Sequence, residues 1–86
     1  MLIIGTNGVH ISFDLDLIDP TVAPGVSVPA PNGLSLAQTY ELIDEIVKYH
    51  SIIKSADLVE FNPVLDKNHM TENLAKDILK KWIKEF

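Results

Sequence analysis

The sequence predicts an α/β fold on a parallel sheet, in the order strand, helix, strand, helix. Three observations carry this. Val9 to Asp16 alternate apolar and polar with the two-residue period of a half-buried strand. Ala56 to Phe61 form a second strand-like run, and a capped amphipathic helix lies between the two. Strands joined through a helix pair in parallel, with a right-handed crossover. Two parallel strands do not make a stable sheet alone, and parallel sheets carry helices on both faces. The expectation is one partial domain over residues 1–86, the end of a larger α/β fold.

Met1 to Ile4 are a brief apolar run, interrupted by Gly5, Thr6, Asn7 and Gly8. Asn7-Gly8 is a hairpin turn signal. The preferred reading is nevertheless the ragged end of something longer, with a hairpin as its rival. In the main strand Val9, Ile11, Phe13 and Leu15 share one face, and His10, Ser12, Asp14 and Asp16 the other. Asp14 and Asp16 therefore point the same way, their Cα atoms roughly 6–7 Å apart. Like charges at that spacing raise one another's pKa or demand a cation. A metal ion answers that demand.

From Ile18 to Asn32 the chain carries Pro20, Pro24, Gly25, Pro29 and Pro31, which forbid helix and stiffen the backbone. So long a loop in a compact domain is usually functional, and Val22, Val26 and Val28 call for packing partners. Ser35-x-x-Gln38 is a capping box that opens a helix. Its apolar stripe is Leu36, Tyr40, Ile43 and Val47, with Leu42, Ile46 and Tyr49 beside it. Asn62-Pro63 stops the second strand. Thr71 is the expected N-cap of the last helix, whose apolar face is Leu74, Ala75, Ile78, Leu79, Trp82, Ile83 and Phe86. Asp77 and Lys81 are spaced for an i,i+4 pair.

Composition narrows the function classes. A net charge of −5, with seven Lys and no Arg, supplies no basic stripe for nucleic acid. The absence of cysteine rules out disulfides and thiolate metal sites. No apolar run approaches a membrane span, and the N-terminus lacks the features of a signal peptide. The expectation is a soluble cytoplasmic protein with neither nucleic-acid nor membrane partners.

Ser12-Phe13-Asp14-Leu15-Asp16, with Pro20, Pro24-Gly25 and Gly33 at their spacings, resembles a signature of the arginase–agmatinase–formiminoglutamase family, the ureohydrolases. His10, Asp19-Pro20 and the segment Val59 to Asp66, similar to an E-x-N-P-x-x-D motif, agree with it. The resemblance implies the C-terminal βαβα portion of a three-layer α/β/α arginase-like fold. It also implies a binuclear manganese hydrolase acting on a small guanidino or amidine substrate. Asp14 and Asp16 match two metal-binding carboxylates, one of them bridging two Mn²⁺ ions. Hard oxygen ligands suit that metal, and two such ions make a nucleophile from water at neutral pH. Glu60 matches a carboxylate near the substrate's guanidinium, where paired hydrogen bonds orient a cation. Ser12 and His10 are read as residues behind the carboxylates, orienting them rather than ligating.

The departures define what the chain lacks. The family's remaining ligands, a histidine and an Asp-x-His-x-Asp cluster, lie on segments N-terminal to this signature, as does its proton-shuttling histidine. His10, His50 and His69 do not have the spacing to replace them. Catalysis by this chain alone is therefore not expected, and its natural partner is the missing N-terminal portion of the fold. The intact protein is expected to be a homo-oligomer. Val28 stands where many arginases place a threonine hydroxyl, and Leu17 where glycine is frequent. Ala23 to Ser27 resemble formiminoglutamases, while Asp19-Pro20 and the region Ile53 to Asp66 resemble bacterial arginases. The favoured reading is arginine cleavage to ornithine and urea, with formiminoglutamase or agmatinase activity as alternatives. A non-catalytic remnant or interaction module is the reading from a different class. On the fragment reading, the isolated chain should self-associate and bind an apolar dye. Sedimentation of a monomer with a sharp melt would overturn it.

Overall fold

In a computed structural model the chain is described over residues 2–5 and 8–85. The elements are β1 (Leu2–Gly5), β2 (Gly8–Asp14), a 3₁₀ turn (Leu15–Leu17), α1 (Leu36–Val47), β3 (Ile53–Val59), a second 3₁₀ turn (Pro63–Leu65) and α2 (Met70–Glu85). The sheet order is β1-β2-β3. β2 and β3 pair in parallel from Val9↔Ile53 to Asp14↔Val59, with one irregularity between Val9 and His10. This is the α/β pairing expected from a strand–helix–strand order.

β1 adds antiparallel to the other edge of β2, from Leu2↔Ile11 to Gly5↔Gly8. The hairpin, the less favoured reading of this stretch, is the arrangement observed. Its Asn7 lies outside the described residues. β3 spans Ile53–Val59 rather than Ala56 to Phe61, because the backbone leaves the strand at Glu60 with a left-handed φ of 69°.

Both helices cover the same face of the sheet. Phe13, Ile43, Leu74, Ile78 and Trp82 form one buried cluster, with Ala56 and Leu58 of β3 packed against it. The Trp82 ring meets Phe13 edge-on, with centroids 6.4 Å apart. Full burial of a side chain such as Ile43 or Ile78 contributes about 1.5–3 kcal/mol. The opposite face carries His10 and Ser12 beside Ser55 and Asp57.

The capping box at Ser35 forms in full. Ser35 Oγ accepts from the Gln38 N–H at 3.1 Å, and Gln38 Oε1 accepts from the Ser35 N–H at 2.9 Å. The stripe behind it is narrower than its spacing suggests. Ile43 is buried and Tyr40, Ile46 and Val47 are half-buried, but Leu36, Leu42 and Tyr49 are exposed. Leu42 and Tyr49, with Ile46, Val9, Ile11 and Ile52, border an apolar groove of about 480 Å³ between α1 and β2. On α2, Leu79 and Ile83 are likewise exposed, and Phe86 lies outside the described residues. Asp77 and Lys81 turn to α1 instead of to each other. The Tyr40 hydroxyl donates to Asp77 at 3.3 Å, while Lys81 reaches Asp44 at 3.8 Å and lies over the Tyr40 ring.

The proline loop is seated on the core rather than free. Ala23 and Val26 are buried, and only Val28 of the three valines stands out in solvent. Leu34 returns to the start of the loop, pairing with Leu17 and Asp19 through N–H···O bonds of 2.8 and 2.9 Å. Gly33 permits this approach, since a Cβ there would lie 2.6 Å from the Leu17 carbonyl oxygen.

α2 is capped from a distance. Thr71, the expected cap, is buried inside the first turn, where its Oγ1 accepts from the Gly25 N–H at 2.7 Å. Asp66 does the capping: Oδ1 accepts from the Thr71 N–H and Oδ2 from the Glu72 N–H, each at 3.0 Å. Burial pushes its carboxyl up, but the N–H donors of Thr71, Glu72 and Lys67 outweigh it and hold the pKa below the ordinary 3.8. The ionised cap therefore contributes fully above about pH 4 and is lost as pH falls through the depressed value. Asp66→Ala should cost about 1 kcal/mol at neutral pH. Urea melts of parent and variant should converge as pH falls below the depressed Asp66 value.

Candidate functional site

The three sequence-selected carboxylates gather where two neighbouring parallel strands end. Asp14 is the last residue of β2 and lies opposite Val59, the last of β3. Carboxyl ends of adjacent parallel strands are where α/β sheets place ligands. The strand expected to run through Asp16 stops at Asp14, because the Asp14 side chain caps a tight turn: its Oδ1 accepts from the Asp16 N–H at 3.1 Å. Leu15 and Ile18, both fully buried, anchor that turn. Asp14 and Asp16 thus meet through a 3₁₀ turn rather than through strand alternation.

Their proximity raises the pKa of Asp16. Hydrogen bonding with the Asp14 carboxyl, burial, and the negative charges of Asp14 and Glu60 all push its pKa above the ordinary value. Glu60 is therefore close enough to add its field to the pair. Strand alternation would send Glu60 toward the helix-covered face with Ala56 and Leu58. Its left-handed backbone takes it out of the strand instead, and the residue is exposed. Such conformations are costly for residues other than glycine, and they recur where a side chain is held for a task.

His10 and Ser12 reach across to β3. Ser12 Oγ donates to Asp57 Oδ1 at 2.7 Å, and His10 Nε2 lies 3.1 Å from Asp57 Oδ2. His10 Nδ1 is 2.6 Å from Ser55 Oγ. The Ser12 hydroxyl first, then His10, hold the Asp57 carboxyl below its ordinary pKa against the effect of burial. Sequence alone does not single out Asp57, because its meeting with Ser12 depends on the β2–β3 register.

Sequence reasoning also gives no role to Asn62. Its backbone N–H donates to the Gly25 carbonyl at 2.6 Å and its Nδ2 to Ser27 Oγ at 3.0 Å, while Oδ1 accepts from the Val64 N–H at 3.1 Å. The signal is present in the E-x-N-P-x-x-D pattern. In that pattern Asn62 and Asp66 fasten the loop after Glu60 to Pro24–Ser27 and to α2. Gly25 is needed at the junction, since a Cβ there would lie 2.9 Å from Asp66 Cβ.

The donor set suits a hard divalent cation in kind: carboxylate oxygens, crowded enough to raise the pKa of Asp16. It does not complete a site. Among the described residues no group of three or more His, Cys, Asp or Glu side chains is arranged to hold an ion. His50 and His69 are exposed, and His69 pairs with Glu72 at 3.1 Å.

Residues 2–84 match the model of the arginase family. The chain belongs to the arginase family. It is 44% identical over 70 residues to an arginase of Bacillus caldovelox, a match covering 81% of this chain and 23% of that protein. The crystal structure of arginase from Bacillus subtilis superposes with a TM-score of 0.82 at 35% identity, covering 93% of this chain and 30% of the other. Proclavaminate amidino hydrolase from Streptomyces clavuligerus gives a TM-score of 0.80 at 29% identity, over 88% of this chain and 26% of that one. The chain spans about a quarter of the length of the arginase relatives it matches, and its fold is the corresponding portion of the arginase-like α/β architecture. No described helix is long and apolar enough to cross a membrane.

Within this family member the geometry at Glu60 is open to a direct test. A left-handed non-glycine residue costs about 1–2 kcal/mol, of which glycine's greater chain entropy takes back about 0.5–1. Glu60→Gly should therefore raise stability by about 0.5–1 kcal/mol in urea melts. A loss of stability would show that the carboxylate, and not the backbone, governs this position.

Proposed function

We propose that this chain supplies one carboxylate arm of a ureohydrolase centre that cleaves a linear guanidine or amidine, with arginine the favoured substrate. The observation that carries the reading is the placement of Asp14, Asp16 and Glu60 at the ends of β2 and β3, where hydrogen bonding with Asp14, then burial and the charges of Asp14 and Glu60, raise the pKa of Asp16. The similarity to bacterial arginases supports arginine. Likeness to an amidino hydrolase and to a hypothetical agmatinase keeps other amidines, including those of agmatinase and formiminoglutamase chemistry, as the alternative.

In this reading Asp14 and Asp16 would hold divalent manganese. Bound there, such ions lower the pKa of water and so provide a nucleophile at neutral pH. Glu60, exposed and set off the strand axis, accepts hydrogen bonds from the guanidinium and fixes the plane of the reacting carbon. The Asp14 side chain holds the turn that presents Asp16. The remaining ligands and the proton-transfer group come from outside residues 1–86, so this chain, as a partial domain, is inactive alone. The apolar lining of the groove between α1 and β2 supports packing of further segments of such a fold there.

Co-expression with the N-terminal segment of an arginase relative tests this reading. Manganese-dependent release of urea from arginine should appear only in the pair, and Asp14→Asn should reduce it by about a hundredfold or more. The chain alone should retain fewer than two tightly bound manganese ions on dialysis. Two tight ions on the isolated chain, or full activity of the Asp14→Asn pair, would overturn the assignment. Persistent inactivity of every pairing would favour an interaction module instead.

A further inference from the structure

We infer that Asn62 is a positioning residue that holds Glu60 in its left-handed conformation, tying the direction of that carboxylate to the proline loop; the inference rests on the reading of Glu60 as the guanidinium-binding group. A strained backbone persists only where its surroundings over-determine it. β3 ends at Val59, so the strand fixes one side of Glu60. On the other side Phe61 is partly exposed, and the next fixed point is Asn62.

All four polar groups of Asn62 are engaged. Its N–H donates to the Gly25 carbonyl at 2.6 Å, and its carbonyl accepts from the Leu65 N–H at 3.2 Å. Its side chain donates to Ser27 Oγ at 3.0 Å and accepts from the Val64 N–H at 3.1 Å. The anchor is itself immobile, because the Gly25 N–H is bound to Thr71 Oγ1 at 2.7 Å on the buried first turn of α2. Only a short side chain carrying both a donor and an acceptor can grip the proline loop and cap the Pro63–Leu65 turn at once. Asparagine meets that need, and alanine loses both groups.

Asn32 provides an internal control, being left-handed with a φ of 64° but seated at the far end of the loop beside Gly33. In NMR of the full chain, Asn62→Ala should move the Glu60 amide–Hα coupling and Cα shift away from left-handed values and leave Asn32 unchanged. A folded Asn62→Ala chain with Glu60 still left-handed would overturn the inference. If that variant unfolds, Ser27→Ala, which removes only the bond between these two side chains, carries the test. Partial displacement of Glu60 alone supports the inference, and an unmoved Glu60 in Ser27→Ala refutes it. Methylguanidinium titration separates this from the substrate reading. The Glu60 amide of the parent should respond, and affinity should fall about tenfold in Asn62→Ala, as for one lost charge-assisted hydrogen bond. A silent parent combined with a displaced Glu60 in the variant leaves the positioning role standing and refutes Glu60 as the guanidinium site.

Discussion

The parallel pairing of β2 with β3 is the constraint on which everything else depends. Because Asp14 lies opposite Val59, the two strands finish level and deliver their outgoing loops to the same edge. On one side that loop begins with the Leu15–Leu17 turn and Asp16; on the other it runs from Glu60 to Asn62. A shift of one residue in this register would separate the carboxylates and also exchange the faces of β2. Phe13 would then leave the Trp82 contact and Ser12 the Asp57 contact. Core packing and site geometry thus select the same alignment.

A second feature is how little of the site rests on regular structure. The strands bring Asp14 to its place, but a 3₁₀ turn sets Asp16 and a left-handed residue sets Glu60. Both irregularities are held by hydrophobic or polar anchors nearby. Leu15 and Ile18 are fully buried beneath the first. Asn62, Gly25 and Thr71 secure the second in a chain of short hydrogen bonds. The carboxylates are presented by rigid loops on a sheet edge, the arrangement that α/β proteins use to keep chemistry apart from the core.

Much of this is legible in the residues. Strand alternation finds β2, the Ser35-x-x-Gln38 box finds the start of α1, and proline spacing marks the loop that the core then secures. The family signature leads to the three carboxylates. What stays hidden depends on contacts distant in sequence. Asp57 becomes a partner of His10 and Ser12 only once the register is known. Thr71 looks like a cap because it precedes a helical run; Asp66 takes that role from outside the helix. The stripe on α1 looks wide because periodicity reports which face is apolar and not how much of it is covered; Leu42 and Tyr49 border an open groove instead. The hairpin signal at Asn7-Gly8 outweighs the shortness of the apolar run before it.

Gly25 adds a second link between two elements that Asp66 already joins. Its N–H is held by Thr71 in the first turn of α2, and its carbonyl by Asn62 beyond Glu60. No side chain intervenes, since the residue has none to offer. Fraying at the front of the terminal helix would therefore loosen the loop beyond Glu60 as well. Mobility of the one and order of the other become a single property of the molecule.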